Sequence, residues 1–260
     1  MTSSVDGTIP ASSPASSPKA GNGPVLRGMY RLLLHQQLTT GRLVLAGSMS
    51  ALSILLAVLI ARDPDPGQVR STVEFLSVYG LGLMVPILSL VLASSAMGQL
   101  VEDETLVYLW LRPNPRWLLA LAAWLASATV AVPMTVVPLT VAAAVGSGGD
   151  SNATAAVAAS MTLAAVAYTA AFTLVGLLLR RSLIWGLVYV FIWELFIARV
   201  GAGAARLSIN TYPSSLLSKM TDVELPLAER AMGYAIATPL VVALVAVALT
   251  AWRLDHSNVA

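Results

Sequence analysis

Long apolar runs alternate with short polar connections along most of this chain. The clearest example lies between Arg116 and Arg180, where Asp150 is the single charged residue and sits in a cluster of Gly, Ser and Asn. An apolar run of about 20 residues is long enough to cross a bilayer as a helix. Two such runs joined by a short polar turn therefore predict a pair of membrane-spanning helices.

The same pattern predicts six spans after the N-terminal region. Proline, glycine and charged residues end the apolar runs, because they break helices or require water. The predicted spans are 43–60, 75–98, 117–145, 154–179, 183–198 and 232–252. They make residues 42–260 an all-α polytopic membrane domain, and their even number places both termini on one side of the membrane.

Two different segments precede the first predicted span. Residues 1–24 are rich in Ser, Pro, Ala and Gly and lack an apolar core, which predicts a disordered tail. Residues 25–41 show helical periodicity with one apolar and one basic face, which predicts an amphipathic helix in the membrane interface. The alternative is a simple extension of the first span. The apolar face consists of Leu26, Met29, Tyr30 and Leu33, and the basic face of Arg27, Arg31 and His35.

Composition supports the membrane prediction and excludes several kinds of site. Hydrophobic residues make up 57% of the chain and charged residues 11%, against about 25% charged residues in an average soluble domain. The chain has no cysteine, so disulfides and thiolate metal sites are excluded. Its two histidines, His35 and His256, lie outside the predicted spans. No bound cofactor or metal is expected, and no basic patch with aromatic residues indicates a nucleic-acid partner.

The arginine distribution predicts the orientation. Connections on the side of the termini carry Arg112, Arg116, Arg180 and Arg181, whereas one of the opposite short connections has no basic residue. The positive-inside rule then predicts cytoplasmic termini. The long connection before the last span also holds basic residues, which weakens the bias. Because alanine, valine and arginine are abundant, as in GC-rich bacterial genomes, the predicted location is a bacterial plasma (inner) membrane.

One polar segment, EDETLVYLWLRPNPR, connects the second and third predicted spans. Acidic residues at its start favour a helix N-terminus, and the prolines end that helix before the next span. The segment is thus predicted to be a short surface helix, acidic at one end and aromatic in the middle. It is either a docking element for a soluble partner or an ordinary capped loop. Its candidate residues are Glu102, Asp103, Glu104, Thr105, Leu106, Tyr108 and Trp110.

Glu194 is a single acidic residue in the fifth predicted span. A charged side chain in a span is costly and normally faces protein, water or a partner charge. We expect a structural ion pair with Arg199 or Arg206 near the outer end of the span. The alternatives are a role in a substrate path and an interfacial position beside Trp193 in an aromatic belt.

The segment from Glu102 to Arg116 resembles the cytoplasmic coupling region of type-2 ABC transporter permeases. Glu104 stands where that family usually has a glycine. The segment from Tyr189 to Tyr212, with YVFIWELF and the later RLSI, is also similar to some bacterial members. The order of interfacial helix, six spans and long last external connection matches over nearly the whole chain after residue 24. The matching positions of the first motif are Thr105, Leu106, Tyr108, Leu109, Pro113 and Arg116.

The resemblance implies an exporter subunit. Such permeases form dimers with a second permease copy or a homologous permease, bind two cytoplasmic ATPase subunits, and export lipids, glycans, peptides or drugs. The 102–111 segment would be the coupling helix that receives the movement of the ATPase. ATP and Mg would be bound by the partner, since this chain has no G-x-x-x-x-G-K-[ST] phosphate loop and is not expected to be an enzyme.

Two other functions compete with this one. A non-transporting membrane assembly or anchoring protein would have the same spans. An intramembrane hydrolase is more remote, because it needs a serine and a histidine on spans, and neither histidine here is predicted in one.

Overall fold

The computed structural model describes residues 22–62, 67–102, 116–197, 202–226 and 230–256, and every element in these ranges is a helix. The predicted disordered tail and most of the predicted coupling helix lie outside the described residues. Ten α-helices and two π-helical segments follow in order. They are α1 Asn22–Gln37, α2 Thr40–Ala61, α3 Gln68–Leu76, the first π-helical segment Ser77–Met84, α4 Val85–Glu102, α5 Arg116–Gly146, α6 Ser151–Leu178, α7 Ser182–Val188, the second π-helical segment Tyr189–Glu194, α8 Ala202–Ala205, α9 Thr211–Thr221 and α10 Met232–His256.

Among the described residues, five helices are long and apolar enough to cross a membrane, which confirms the prediction of an all-α multi-pass membrane protein. They are Thr40–Ala61, Gln68–Met97, Arg116–Gly146, Ser151–Leu178 and Met232–His256. The fifth predicted span, 183–198, corresponds to a shorter apolar helix, Ser182–Glu194. At the α-helical rise that helix measures about 20 Å, which is less than the hydrocarbon core of about 30 Å.

The GSGGD turn between α5 and α6 shows how local sequence ends one span and begins the next. Gly148 and Gly149 have φ angles of 67° and 89°, a left-handed conformation that glycine adopts without steric cost. Asp150 then caps α6, since its carboxylate accepts a hydrogen bond of 2.8 Å from the backbone N–H of Ala153. The turn therefore reverses the chain within a few residues.

Helix α6 lies at the centre of the bundle and packs against α4, α5 and α10. Its buried side chains are mostly small, with Met161, Tyr168 and Phe172 as the large exceptions. Small residues allow helix backbones to approach closely, which is how packing stabilises helix pairs in a membrane. The closest approach is that of Gly176 to the backbone of Ser94 on α4.

Helix α1 lies across α5 and is hydrogen-bonded to both α5 and α4. The Gln37 amide donates to Ser127 Oγ at 3.1 Å and to the Leu92 carbonyl at 3.0 Å, and the Tyr30 hydroxyl donates to Thr129 Oγ1 at 3.2 Å. The stretch of α5 from Thr129 to Gly146 measures about 26 Å, close to the thickness of a hydrocarbon core. Helix α1 thus lies about one membrane thickness from the Gly146 end of α5.

The bundle has two distinct ends, which we call the Gly146 side and the α1 side. On the Gly146 side, the Gln68 amide donates to the Gly146 carbonyl at 2.9 Å, and the Asn152 amide donates to the Met220 carbonyl at 2.7 Å. On the α1 side, Arg116 Nη1 donates to the carbonyls of Leu254 at 2.8 Å and Asp255 at 3.1 Å. The start of α5 is therefore tied to the end of α10.

Candidate functional site

Glu194 is fully buried, and its carboxyl group is held by three donors. The Tyr189 hydroxyl donates to Oε1 at 2.8 Å, and the backbone N–H of Ile209 donates to the same oxygen at 3.1 Å. The Ser208 hydroxyl donates to Oε2. Buried polar groups are stable only when they are hydrogen-bonded in this way, so these three donors stabilise the buried carboxyl group.

The carboxyl group lies deep in the bundle. The ring of its partner Tyr189 makes an edge contact with Phe172, with centroids 6.3 Å apart, and Phe172 stacks on Tyr168 at 5.8 Å. Along α6, Tyr168 is about 26 Å from the first residue, Ser151, at the α-helical rise. Glu194 is therefore well below the Gly146 side, and not near the outer end of a full-length span as the sequence predicts.

After the second π-helical segment ends at Glu194, residues 208 and 209 fold back to the carboxyl group and bury it within the bundle. The second π-helical segment closes with a hydrogen bond of 3.3 Å from Leu195 N to the Val190 carbonyl. Further along, the Thr211 hydroxyl donates to the Ala205 carbonyl at 2.7 Å and fixes the turn before α9. These bonds direct Ser208 and Ile209 back towards the carboxyl group. We call residues 202–210 the return loop.

The two π-helical segments are in contact inside the bundle. Leu195, next to the second segment, packs against Gly82 of the first, and Gly80 of the first packs against Met161 on α6. A π-helical turn is rare and often marks a functional site. Here both widened turns occur beside the buried carboxyl group, and they contact each other and α6 inside the bundle.

Of the two arginines predicted to pair with Glu194, the structure describes one, Arg206. Its side chain is exposed. Among the described residues, the ion pair that the structure contains is Arg70–Glu74, so Arg206 does not pair with Glu194 there. Arg199 lies outside the described residues. In the part of the chain that the structure describes, the partners of Glu194 are neutral groups.

An apolar groove of about 620 Å³ opens beside this site, between α6, α7 and α10. Tyr189 and Ile209 belong both to its wall and to the set of donors around Glu194. The return loop therefore closes one part of the groove, and the carboxyl group holds the loop there. The other principal lining residues are Phe172, Val175, Trp185, Val242 and Val245.

Only the two ends of the predicted coupling region are described, and both lie on the α1 side. Glu102 is the last residue of α4, and Arg116 is the first residue of α5. Asp103, Glu104, Thr105, Leu106, Tyr108 and Trp110 lie outside the described residues. Neither described end of this connection lies near Glu194.

His35 lies on α1 and His256 is the last residue of α10, both within the described ranges. No group of three or more His, Cys, Asp or Glu side chains that would hold a metal ion occurs there. His35 and His256 are both exposed.

Two polar residues with structural roles were not recognised from the sequence. Gln37 is buried and joins α1 to α4 and α5, and Tyr189 binds Glu194. The five-residue separation of Tyr189 and Glu194 is a signal for Tyr189, because it fits a π-helical turn better than an α-helical one.

A comparison with known protein families finds no family that matches this chain, and a comparison with curated proteins finds no matching relative. Its fold and composition define it as a multi-pass α-helical membrane protein.

Proposed function

We propose that this chain is the membrane-spanning permease subunit of an ATP-driven ABC exporter. The observation that carries the proposal is the position of Glu102 and Arg116, the described residues on either side of the 103–115 connection. The connection joins the end of α4 at Glu102 to the start of α5 at Arg116, both on the α1 side. The stretch of α5 from Arg116 to Thr129, where α1 crosses, measures about 20 Å. The acidic and aromatic segment is thereby attached well beyond the level of α1, where a soluble partner has access.

Movement of this connection would reach several helices. Arg116 binds the carbonyls of Leu254 and Asp255, so α10 is tied to the start of α5. Helix α4 contacts α6 closely at Gly176. A partner that displaces the connection would therefore act on α4, α5, α6 and α10, and those last two helices form walls of the apolar groove.

The partners follow from this proposal. Two ATPase subunits would dock on the α1 side in the cytoplasm and would bind ATP and Mg. A second permease copy, or the lipid bilayer, would cover the apolar faces of α2 and α7. In the described structure only 17% of the apolar window of α2 is buried, and Ile184 and Trp185 on α7 are exposed. We propose that α7 and the residues up to 198 provide the sixth crossing, in a bacterial plasma membrane.

Truncation of the aromatic residues in the 102–111 segment is expected to release the ATPase. Aromatic anchors at the centre of an interface often contribute about 2 kcal/mol or more, whereas charges at the rim change the association rate more than the affinity. Tyr108→Ala or Trp110→Ala should therefore abolish copurification of the ATPase and transport, and Glu102→Gln should have a milder effect. The measurement is ATPase copurification together with ATP hydrolysis in proteoliposomes.

Trp252→Ala is a matched control, because Trp252 is an exposed aromatic residue on the α1 side outside this segment. It should retain the ATPase. If the Tyr108 and Trp110 variants also keep full copurification and transport, the coupling assignment fails and a non-transporting assembly or anchoring protein becomes the better proposal.

The proposed orientation places both termini in the cytoplasm, and single cysteines test it because the chain has none. Ser151 and Arg180 are both exposed and lie at opposite ends of α6. In intact cells, an impermeant maleimide should label Ser151→Cys and should leave Arg180→Cys unlabelled until the membrane is permeabilised. The reverse labelling pattern would contradict this orientation.

A further inference from the structure

A second groove lies on the α1 side, between α1 and α5, and has a volume of about 610 Å³. Its lining differs from that of the apolar groove, since two arginines and two hydroxyl-bearing side chains contribute to it. The lining residues are Gly23, Leu26, Arg27, Tyr30, Arg31, Leu125 and Thr129.

Arg27 and Arg31 are one helical turn apart on α1, so their side chains lie on the same face. Both are exposed, and no ion pair to either occurs among the described residues. Two guanidinium groups at this spacing concentrate positive charge at the rim of the groove. A guanidinium group is also well suited to phosphate, because its planar donors bind two oxygens at once.

The position of the groove relative to the bundle indicates which phosphate it takes. The bond from the Tyr30 hydroxyl to Thr129 Oγ1 fixes α1 at a level about one hydrocarbon thickness from Gly146. At that level a bilayer presents its headgroups. Leu26 and Leu125 add apolar surface to the same groove. The groove thus combines a basic rim with an apolar wall, which matches a lipid with a charged headgroup and acyl chains.

We propose that this groove binds an anionic phospholipid, with Arg27 and Arg31 donating hydrogen bonds to its phosphate and with an acyl chain beside Leu26 and Leu125. The bound lipid fastens α1 to the membrane surface and to α5. This inference rests on membrane insertion and not on the proposed transport function, so it stands or falls independently of the ATPase experiments.

The test is a lipid titration of the purified full-length chain in neutral detergent, followed by native mass spectrometry. Phosphatidylglycerol should bind, and phosphatidylcholine, which has no net charge, should bind at least tenfold more weakly. Each basic side chain near an anionic headgroup contributes enough to make a double replacement visible. Arg27→Gln/Arg31→Gln should therefore weaken phosphatidylglycerol binding by about tenfold or more.

Arg180→Gln/Arg181→Gln is the matched control, since it removes two exposed arginines elsewhere on the chain. It should leave phosphatidylglycerol binding within twofold of the original. Equal losses in both double variants would show general charge attraction and would overturn the site, as would no loss in either. Binding of soluble glycerol 3-phosphate as tight as that of the lipid would also overturn it, because the apolar wall would then contribute nothing.

A third variant keeps the test decisive if the glutamine pair does not fold. Leu125→Phe leaves both arginines in place and fills part of the groove from the half-buried Leu125 position. Phosphatidylglycerol binding should fall several-fold in this variant. Unchanged binding would place the lipid outside the groove and would contradict the proposal.

Discussion

Replacement of Glu194 by lysine is expected to reduce the free energy of unfolding by about 3 kcal/mol or more. The carboxyl group accepts hydrogen bonds from Tyr189, Ser208 and the Ile209 amide, and Glu194 and Ser208 are both fully buried. A lysine ammonium group donates only, so the Ile209 amide would lose its partner and a charge would be buried beside it. The apparent Tm of the purified protein in detergent measures the effect.

Glutamine has nearly the same shape as glutamate but lacks the carboxyl group, so it tests the carboxyl group separately from side-chain shape. Glu194→Gln keeps one acceptor oxygen for Tyr189 and Ile209, and the Ser208 hydroxyl can rotate to accept from the new amide. We therefore expect a loss of about 1–2 kcal/mol, clearly smaller than for lysine. Glu224→Lys is the control, because Glu224 is exposed and surface substitutions usually change stability by less than about 0.5 kcal/mol. Equal Tm values for all three variants would contradict the buried site.

The loss of stability should be accompanied by a local change in the groove. Ser208 and Ile209 are held in place through Glu194, and Ile209 lines the apolar groove. In Glu194→Gln the return loop should exchange amide hydrogens faster than it does in the original chain, because the Ile209 amide and the Ser208 hydroxyl have lost a carboxyl acceptor. Unchanged exchange in residues 202–210 would show that other contacts fix the loop.

The helical fold was predictable because each long span is encoded locally. Apolar runs without charge predict a membrane helix whatever their neighbours are, and the GSGGD turn carries its own capping residue in Asp150. The amphipathic pattern of α1 also shows in the structure. Leu33 is buried against α5, whereas Arg27 and Arg31 are exposed.

The depth of Glu194 was not predictable from local pattern. Hydropathy continues through YVFIWELF, so nothing in the hydropathy of that stretch indicates that the α-helix ends at Val188 and the π-helical segment at Glu194. The partners that bury the carboxyl group, Ser208 and the Ile209 amide, follow after a further turn of the chain. Contacts of this kind depend on how the chain returns, which single-sequence periodicity does not contain. An arginine was the expected partner for the same reason, since charge complementarity is the only criterion by which sequence alone suggests a partner for a buried carboxyl group.

The coupling assignment has a different basis. It came from a resemblance in a short segment, and most of that segment lies outside the described residues. The structure contributes the ends of the connection, Glu102 and Arg116, and the bonds that tie Arg116 to α10. For that reason the assignment remains a proposal that depends on the copurification experiment.

Enlargement of Gly176 is expected to separate α6 from α4. A Cβ atom at this position would lie 3.0 Å from both the Cα and the carbonyl oxygen of Ser94, and these are backbone atoms that cannot move aside as a side chain can. Gly176→Leu should therefore force the two helices apart and cost about 1–3 kcal/mol, the range found for overpacked interiors. Thermal unfolding in detergent measures the loss.

Gly47→Leu provides the matched control for this substitution. Gly47 lies on α2, which is also long and apolar enough to span the membrane, and a Cβ atom there would meet nothing within 4 Å. The change in composition and helix propensity is the same in both variants, so a difference in Tm reports the contact with Ser94 alone.

Because α4 ends at the 103–115 connection, Gly176→Leu should also reduce transport more than ATPase binding if that connection drives α6. Similar Tm values for Gly176→Leu and Gly47→Leu would show that the two helices are not in close contact at Gly176.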